Sequence, residues 1–196
     1  MRSPLTRGLL LVTLALAVAA APMVACDDES PTSPSSSTTL RVMLTDSPFS
    51  DAKALLVTFS EVSAHLTEAS FQTLPFAGAT SRTCDLKKLV GAQDVLGTGP
   101  LTPGHYTQLR LVVSSATIYF DNPSSGPACA PTIPVPEGRN VPVNVPSGTV
   151  RLNREFEVTS NNTTTITLDF DGDKSVIETG NGTYQLKPVI SVVSVQ

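Results

Sequence analysis

The chain has 196 residues, carries 13 basic and 17 acidic side chains and contains no Trp. Arg2 and Arg7 are the only charges before Asp27, so the chain beyond them holds 11 basic against 17 acidic groups, a net −6. That balance argues against nucleic acid as a partner and against a polybasic grip on anionic lipid.

Behind Arg2 and Arg7, Gly8 to Ala21 is apolar and uncharged. It is short of the roughly 20 residues of a membrane span, and a basic start with a short apolar run reads as a secretory signal. Met23-Val24-Ala25-Cys26 follows. A hydrophobic residue, small residues and a Cys resemble the lipobox of bacterial lipoproteins, with Met23 in place of the usual Leu. The resemblance implies that residues 1–25 are a lipoprotein signal peptide and that Cys26 is acylated as the first mature residue. An ordinary signal peptide cut between Ala20 and Ala25 would instead leave Cys26 as a free thiol, a liability in an oxidising compartment. Asp27, Asp28 and Glu29 come next, then a Ser/Thr/Pro string from Ser30 to Thr39 without a large apolar side chain. Such a string cannot bury enough surface to fold. Residues 26–39 therefore read as an acylated Cys and a flexible tether. The expected location is the cell envelope, lipid-anchored through Cys26, on either its periplasmic or its surface face.

Residues 40–196 have the length of one domain with its own core. Abundant Thr, Val and Ser with recurrent Pro and Gly indicate an all-β chain with many turns. Leu40 to Thr45 alternates as a half-buried strand, stopped by Asp46-Ser47-Pro48. From Ala54 to Thr67, Leu55, Val57 and Phe59 share one parity, and Val62, Ala64 and Leu66 take the other. A period of two cannot switch parity without an extra residue, so a bulge or bend is expected at Ser60-Glu61. Helix is the rival reading of that span, disfavoured by its β-branched and aromatic content. Cys84 to Val90 reads as a short helical turn ended by Gly91. Pro103-Gly104 turns the chain into a strand opened by Tyr106, which fits a tyrosine-corner-like role. Leu109, Leu111 and Val113 share a face. Ala116, Ile118 and Phe120 lie on the opposite parity, which places a second bulge at Ser114-Ser115.

Asp121 to Arg139 is Pro- and Gly-rich and reads as a long loop. Val141, Val143 and Val145 alternate with Pro142 and Pro146, which pushes that strand to an edge. Val150 to Leu152 and Phe156 to Val158 read as two short strands. Thr163 to Phe170 is a clear strand, Asp171 to Asn181 a loop with room for a helical turn, and Tyr184 to Val195 the last strand. The expected fold is all-β: a two-sheet antiparallel β-sandwich, immunoglobulin-like or prealbumin-like, of roughly seven to nine strands.

Several of these segments fall in a familiar order. They are Leu44-Thr45-Asp46-Ser47-Pro48, the Val57 to Val62 strand, and Pro103-Gly104-His105-Tyr106-Thr107-Gln108-Leu109-Arg110. Leu168-Asp169-Phe170-Asp171-Gly172-Asp173-Lys174-Ser175 and Leu186-Lys187-Pro188-Val189-Ile190 complete them. Together they resemble the secreted prokaryotic domain of unknown function 4382 over nearly all of Leu40 to Val195. The resemblance implies a β-rich domain behind a lipoprotein signal, and it transfers no catalytic residue. The Pro-rich insert is longer than that family leads one to expect.

No constellation points to catalysis. His65 and His105 are the two histidines, and a nucleophilic triad would need one of them beside a Ser or Cys and a carboxylate. Both read as surface or rim histidines. Asp169, Asp171 and Asp173 alternate as calcium loops do, but an EF-hand wants Gly at its sixth and Glu at its twelfth position. Counted from Asp169, those positions hold Lys174 and Gly180. The trio is a weak cation candidate beside a solvated, Lys-paired turn, and no cofactor is expected. The Asn-x-Thr sequons at Asn161, Asn162 and Asn181 read as polar turns. Cys84 and Cys129 are an even pair in an exported domain and are expected to form a disulfide. The leading functional reading is a non-enzymatic binding or scaffolding module, held to the membrane by the lipid on Cys26 and meeting an envelope protein or glycan. Its candidate recognition loops are Asp46 to Lys53, Asp121 to Arg139 and Asp171 to Asn181. A carbohydrate-binding module is the first alternative, weakened by the lack of Trp and the presence of only three Tyr. An enzyme with an unrecognised site is the second.

Overall fold

A computed structural model describes residues 37–47 and 52–196. The signal segment, Cys26 and nearly all of the tether lie outside the described residues, as do residues 48–51 of the first loop. In chain order the strands are β1 (Thr39–Ser47), β2 (Ala54–Leu66), β3 (Phe71–Thr73), β4 (Arg82–Asp85), β5 (Asp94–Pro100), β6 (Gly104–Tyr119) and β7 (Cys129–Ala130). They continue with β8 (Asn140–Asn144), β9 (Thr149–Val158), β10 (Thr163–Asp171), β11 (Val176–Gly180), β12 (Thr183–Leu186) and β13 (Ile190–Val195). A 3-10 turn covers Leu86–Leu89, within the expected helical turn, and a helical turn α1 covers Gly172–Ser175.

The strands form two packed sheets. The smaller has the order β13-β10-β1-β5, and the larger runs β11-β12-β8-β6-β2-β4-β7 with β3 added on β2 and β9 on β6. Alternation along β1 turns Leu40, Val42 and Leu44 inward, and along β10 it turns in Ile166, Leu168 and Phe170; all six are fully buried. Phe170 meets Phe59 of the larger sheet edge-on, with ring centroids 6.5 Å apart. The all-β sandwich stands, with more and shorter strands than expected. Most pairings are antiparallel, but β1 runs parallel to β10 and β8 parallel to β12. Parallel neighbours need a long crossover, and here the chain between β1 and β10 makes most of the other sheet.

The two parity switches are two bulges facing each other. Thr58 pairs with Ser115, Phe59 with Val113 and Glu61 with Val112, which leaves Ser114 and Ser60 outside the register. Each strand gains one residue at the same level, so both flip parity together. Leu55, Val57, Phe59, Val62 and Ala64 thus face one core with Leu109, Leu111, Val113, Ala116 and Ile118.

Four local expectations need correction. β8 is not an edge strand, because it lies between β12 and β6. β12 engages it only at Val143 and Asn144, so no ladder bond from Pro142 to β12 is required. Residues 149–158 form one strand rather than two, since β9 follows β6 from Gly104 to Val112. The expected last strand is two. Lys187-Pro188-Val189 breaks it, and the chain crosses from β12 in the larger sheet to β13 in the smaller. The expected loop at Asp171 to Asn181 has its helical turn as α1 but also contains the strand β11, which turns into β12 through Asn181 and Gly182, both at positive φ. An Asn-Gly pair is the usual sequence for such a hairpin turn.

Tyr106 takes the corner role. Its ring is buried and stacks on Phe156 at 5.2 Å between centroids, and its hydroxyl donates to the Thr102 carbonyl at 2.8 Å.

Candidate binding site

The outer face of the larger sheet is covered at one end and open at the other. The Pro-rich insert covers it: Ile133 packs on Ala54, Leu56 and Tyr119 in a small second core. The insert is stapled down. Cys84 and Cys129 form the expected disulfide, and these residues pair β4 with β7, the one short strand inside the expected loop. Buried Asp85 accepts from the Leu55 and Lys87 backbone N–H groups and from the Ser124 hydroxyl. Lys88 donates to the Gly126 carbonyl, and Arg82 to that of Cys129. Asp121 closes the base of the insert by accepting from the Arg139 N–H. This candidate recognition loop is therefore a fixed cover for one end of that face.

The open end carries a shallow groove of about 400 Å³ lined by His65, Phe71, Thr107, Gln108 and Asn153. Strand pairing builds it. Past the Ser60 bulge, Glu61, Ser63 and His65 point away from the core. His65 lies opposite Phe71 on β3 and Gln108 on β6, and Gln108 lies opposite Asn153 on β9. Phe71, His65, Gln108 and Asn153 therefore form one straight row across four strands. With strands about 4.8 Å apart, the row is about 14 Å long.

Each member of the row is held. Gln108 Nε2 donates to Asn153 Oδ1 at 2.6 Å. His65 Nδ1 lies 3.1 Å from the Thr107 hydroxyl, and its ring lies 4.9 Å from that of Phe71. The Arg110 guanidinium sits 4.2 Å over the Phe71 ring. Arg110 also donates twice to Glu61, which accepts from Ser63 as well. The bonds from Arg110, then Ser63, hold the Glu61 carboxyl below its ordinary value. The guanidinium over Phe71 is thus neutralised by a fixed carboxylate, while Arg151, opposite Arg110 on β9, is exposed. Phe71 and Asn153 carry no motif, and Gln108 and Arg110 appear in the sequence only within the family pattern, which assigns them no role. Their only signal is outward parity beside an inward apolar set.

The predicted carboxylate trio is not gathered into a cation site. Asp169 accepts from the Ser47 hydroxyl. Asp171 caps α1 and accepts from the Lys174 N–H at 3.0 Å and its Nζ at 2.6 Å. Those two bonds lower the Asp171 pKa, and Asp171 in turn raises that of Lys174. Asp173 stands in the first turn of α1. Among the described residues, no three His, Cys, Asp or Glu are placed to hold a metal ion. The two histidines have different partners: His105 Nδ1 lies 2.6 Å from Glu157 at the exposed end of β6. An unforeseen carboxyl is Asp46, which continues the inward parity of Leu40, Val42 and Leu44. It is 5% exposed, and its Oδ1 accepts from the Gly172 N–H at 3.1 Å. Its Oδ2 has no partner among the described residues. Burial pushes its pKa up to about 8.

The family described as "Domain of unknown function (DUF4382)" matches residues 37–188. The chain belongs to this family. The match covers the described domain from its first residue to the Pro188 crossover, so the DUF4382 domain includes both sheets and lacks only β13. No curated protein and no solved structure matches the chain.

Proposed function

We propose that this DUF4382 protein is a lipid-anchored, non-enzymatic binding module of the bacterial envelope, with its recognition surface on the open outer face of the larger sheet. The anchor rests on Met23 to Cys26 behind the short apolar signal. The Ser/Thr/Pro composition of the stretch that follows suits a tether. The single observation that supports the binding face is the held row of Phe71, His65, Gln108 and Asn153 in its groove. Side chains fixed by register and by mutual bonds bind at little entropic cost, and a rigid sheet is a better platform than a loop. Function on this fold is argued from that site, because sandwich architecture by itself implies none.

Two measurements test the proposal. Cys26→Ser is expected to block lipid processing or to release the protein from the membrane fraction; unchanged processing and retention would refute the anchor. A photo-crosslinking residue at Asn153 is expected to yield adducts in intact cells. The same residue at Val135, which is 70% exposed on the insert, is expected to give far fewer. Equal labelling at both positions would refute the assigned face.

A further inference from the structure

The chemistry left unspent in the row identifies a ligand class, on the reading that this face is the binding site. Gln108 and Asn153 spend one amide N–H and one amide oxygen on each other. The pair retains the oxygen of Gln108 and the NH2 of Asn153, an acceptor and a donor side by side. Reversing both amides leaves the same complement, so the result does not depend on their orientation. One strand over, His65 and Thr107 repeat the pattern: one ring nitrogen is engaged, while the second nitrogen and the hydroxyl's remaining capacity stay free. Two mixed donor–acceptor stations thus stand in line beside the Phe71 ring.

We infer that this row binds a neutral saccharide through vicinal hydroxyl pairs. A hydroxyl both donates and accepts, so two adjacent hydroxyls satisfy an adjacent acceptor and donor at once. A single trans peptide group points its N–H and C=O in opposite directions and fits the pair less well. Arg110 is already neutralised by Glu61, and on β9 the exposed Arg151 and Glu155 stand two residues to either side of Asn153 with opposite charges, so the charge pattern favours a neutral ligand. One face of the Phe71 ring is covered by Arg110, and the rest of the side chain gives the groove an apolar wall against which a sugar's C–H groups rest. A row of about 14 Å accommodates a short run of linked rings lying across the strands. The sequence reading weighed against sugars for want of Trp. Here a half-buried Phe fixed by Arg110 and His65 forms an apolar wall of the groove, and the hydrogen-bonding row carries the recognition.

The test uses the mature, lipidated protein in a detergent without a sugar headgroup. Cellohexaose, xylohexaose, mannohexaose and maltohexaose are titrated separately by calorimetry, each up to about 10 mM, with binding expected for at least one at a Kd of about 1 mM or tighter. Asn153→Asp keeps the shape but turns the free donor into an acceptor, and it is expected to weaken that binding at least about tenfold, the loss of about 1.4 kcal/mol. Arg154→Ala, on β9 outside the row, is expected to leave the affinity unchanged. Unchanged melting temperatures exclude misfolding as the cause. Absence of binding by all four sugars, or binding that Asn153→Asp does not weaken, overturns the inference. If the sugars fail while crosslinking at Asn153 traps a protein, the binding face survives and the saccharide does not. If both fail, the face falls as well.

Discussion

Replacing Asp46 by Asn should abolish a stability loss that the wild type suffers as pH rises. Asp46 is buried on the core side of β1, with Asp169, Lys87 and Asp171 as the nearest charges. Burial is the largest influence on its pKa; the Gly172 N–H opposes it and the Asp169 charge adds to it. The result is a rise from 3.8 to about 8. A carboxyl raised in the folded state holds its proton where the unfolded chain has released it. Its contribution to stability is complete below about pH 4 and falls as pH climbs toward 8. Between those limits each pH unit costs about 1.4 kcal/mol. From pH 5 to pH 7 the wild type should therefore lose about 3 kcal/mol from this group alone. That is a large share of the 5–15 kcal/mol typical of a domain. Asn keeps the acceptor for Gly172 but puts an amide where Oδ2 now lacks a partner, a cost of about 1–3 kcal/mol. Urea unfolding at pH 5, 6, 7 and 8 is the assay. The variant should be the less stable protein at pH 5, and the difference should close or reverse by pH 8. Parallel pH profiles for the two proteins would refute the assignment of a buried, protonated carboxyl.

Reduction should destabilise the domain through the Cys84–Cys129 bond. A closed loop with a sequence separation of 45 residues contributes about 4 kcal/mol by chain entropy, readable as a lower urea midpoint with reductant; an unmoved midpoint would show that the other contacts of the insert suffice. Tyr106→Phe removes the bond to the Thr102 carbonyl but keeps the stack on Phe156. It should cost about 1 kcal/mol in urea unfolding, and a neutral result would deny the hydroxyl its corner role. Millimolar calcium should leave the melting temperature unchanged, because Asp171 is engaged by Lys174. Stabilisation by calcium that disappears in Asp171→Asn would restore the cation site.

Much of the fold was legible in local pattern, because the period of two reports directly which side chains face the core. The switch at Phe59/Val62 and that at Val113/Ala116 marked both bulges, and the sequence placed them within a residue. Tyr106, the 3-10 turn before Gly91 and the Cys84–Cys129 pair were legible for similar reasons: each depends on a few neighbouring residues or on simple parity of cysteines. Partnership was not legible. Nothing in Leu40 to Thr45 says that it runs parallel to Thr163–Asp171, more than a hundred residues away. Pro142 pointed to an edge because the missing N–H was visible and the short reach of β12 was not. Asp46 read as a turn residue, yet its inward parity and the packing of α1 bury it. The row on the open face is the clearest case of this kind. Phe71, His65, Gln108 and Asn153 lie on four strands, and only the registers of β3, β2, β6 and β9 set them in line. Sequence alone determined which residues turn inward, since that is settled within one strand. Tertiary structure decided which outward residues meet, since that depends on the pairing of strands far apart in the chain.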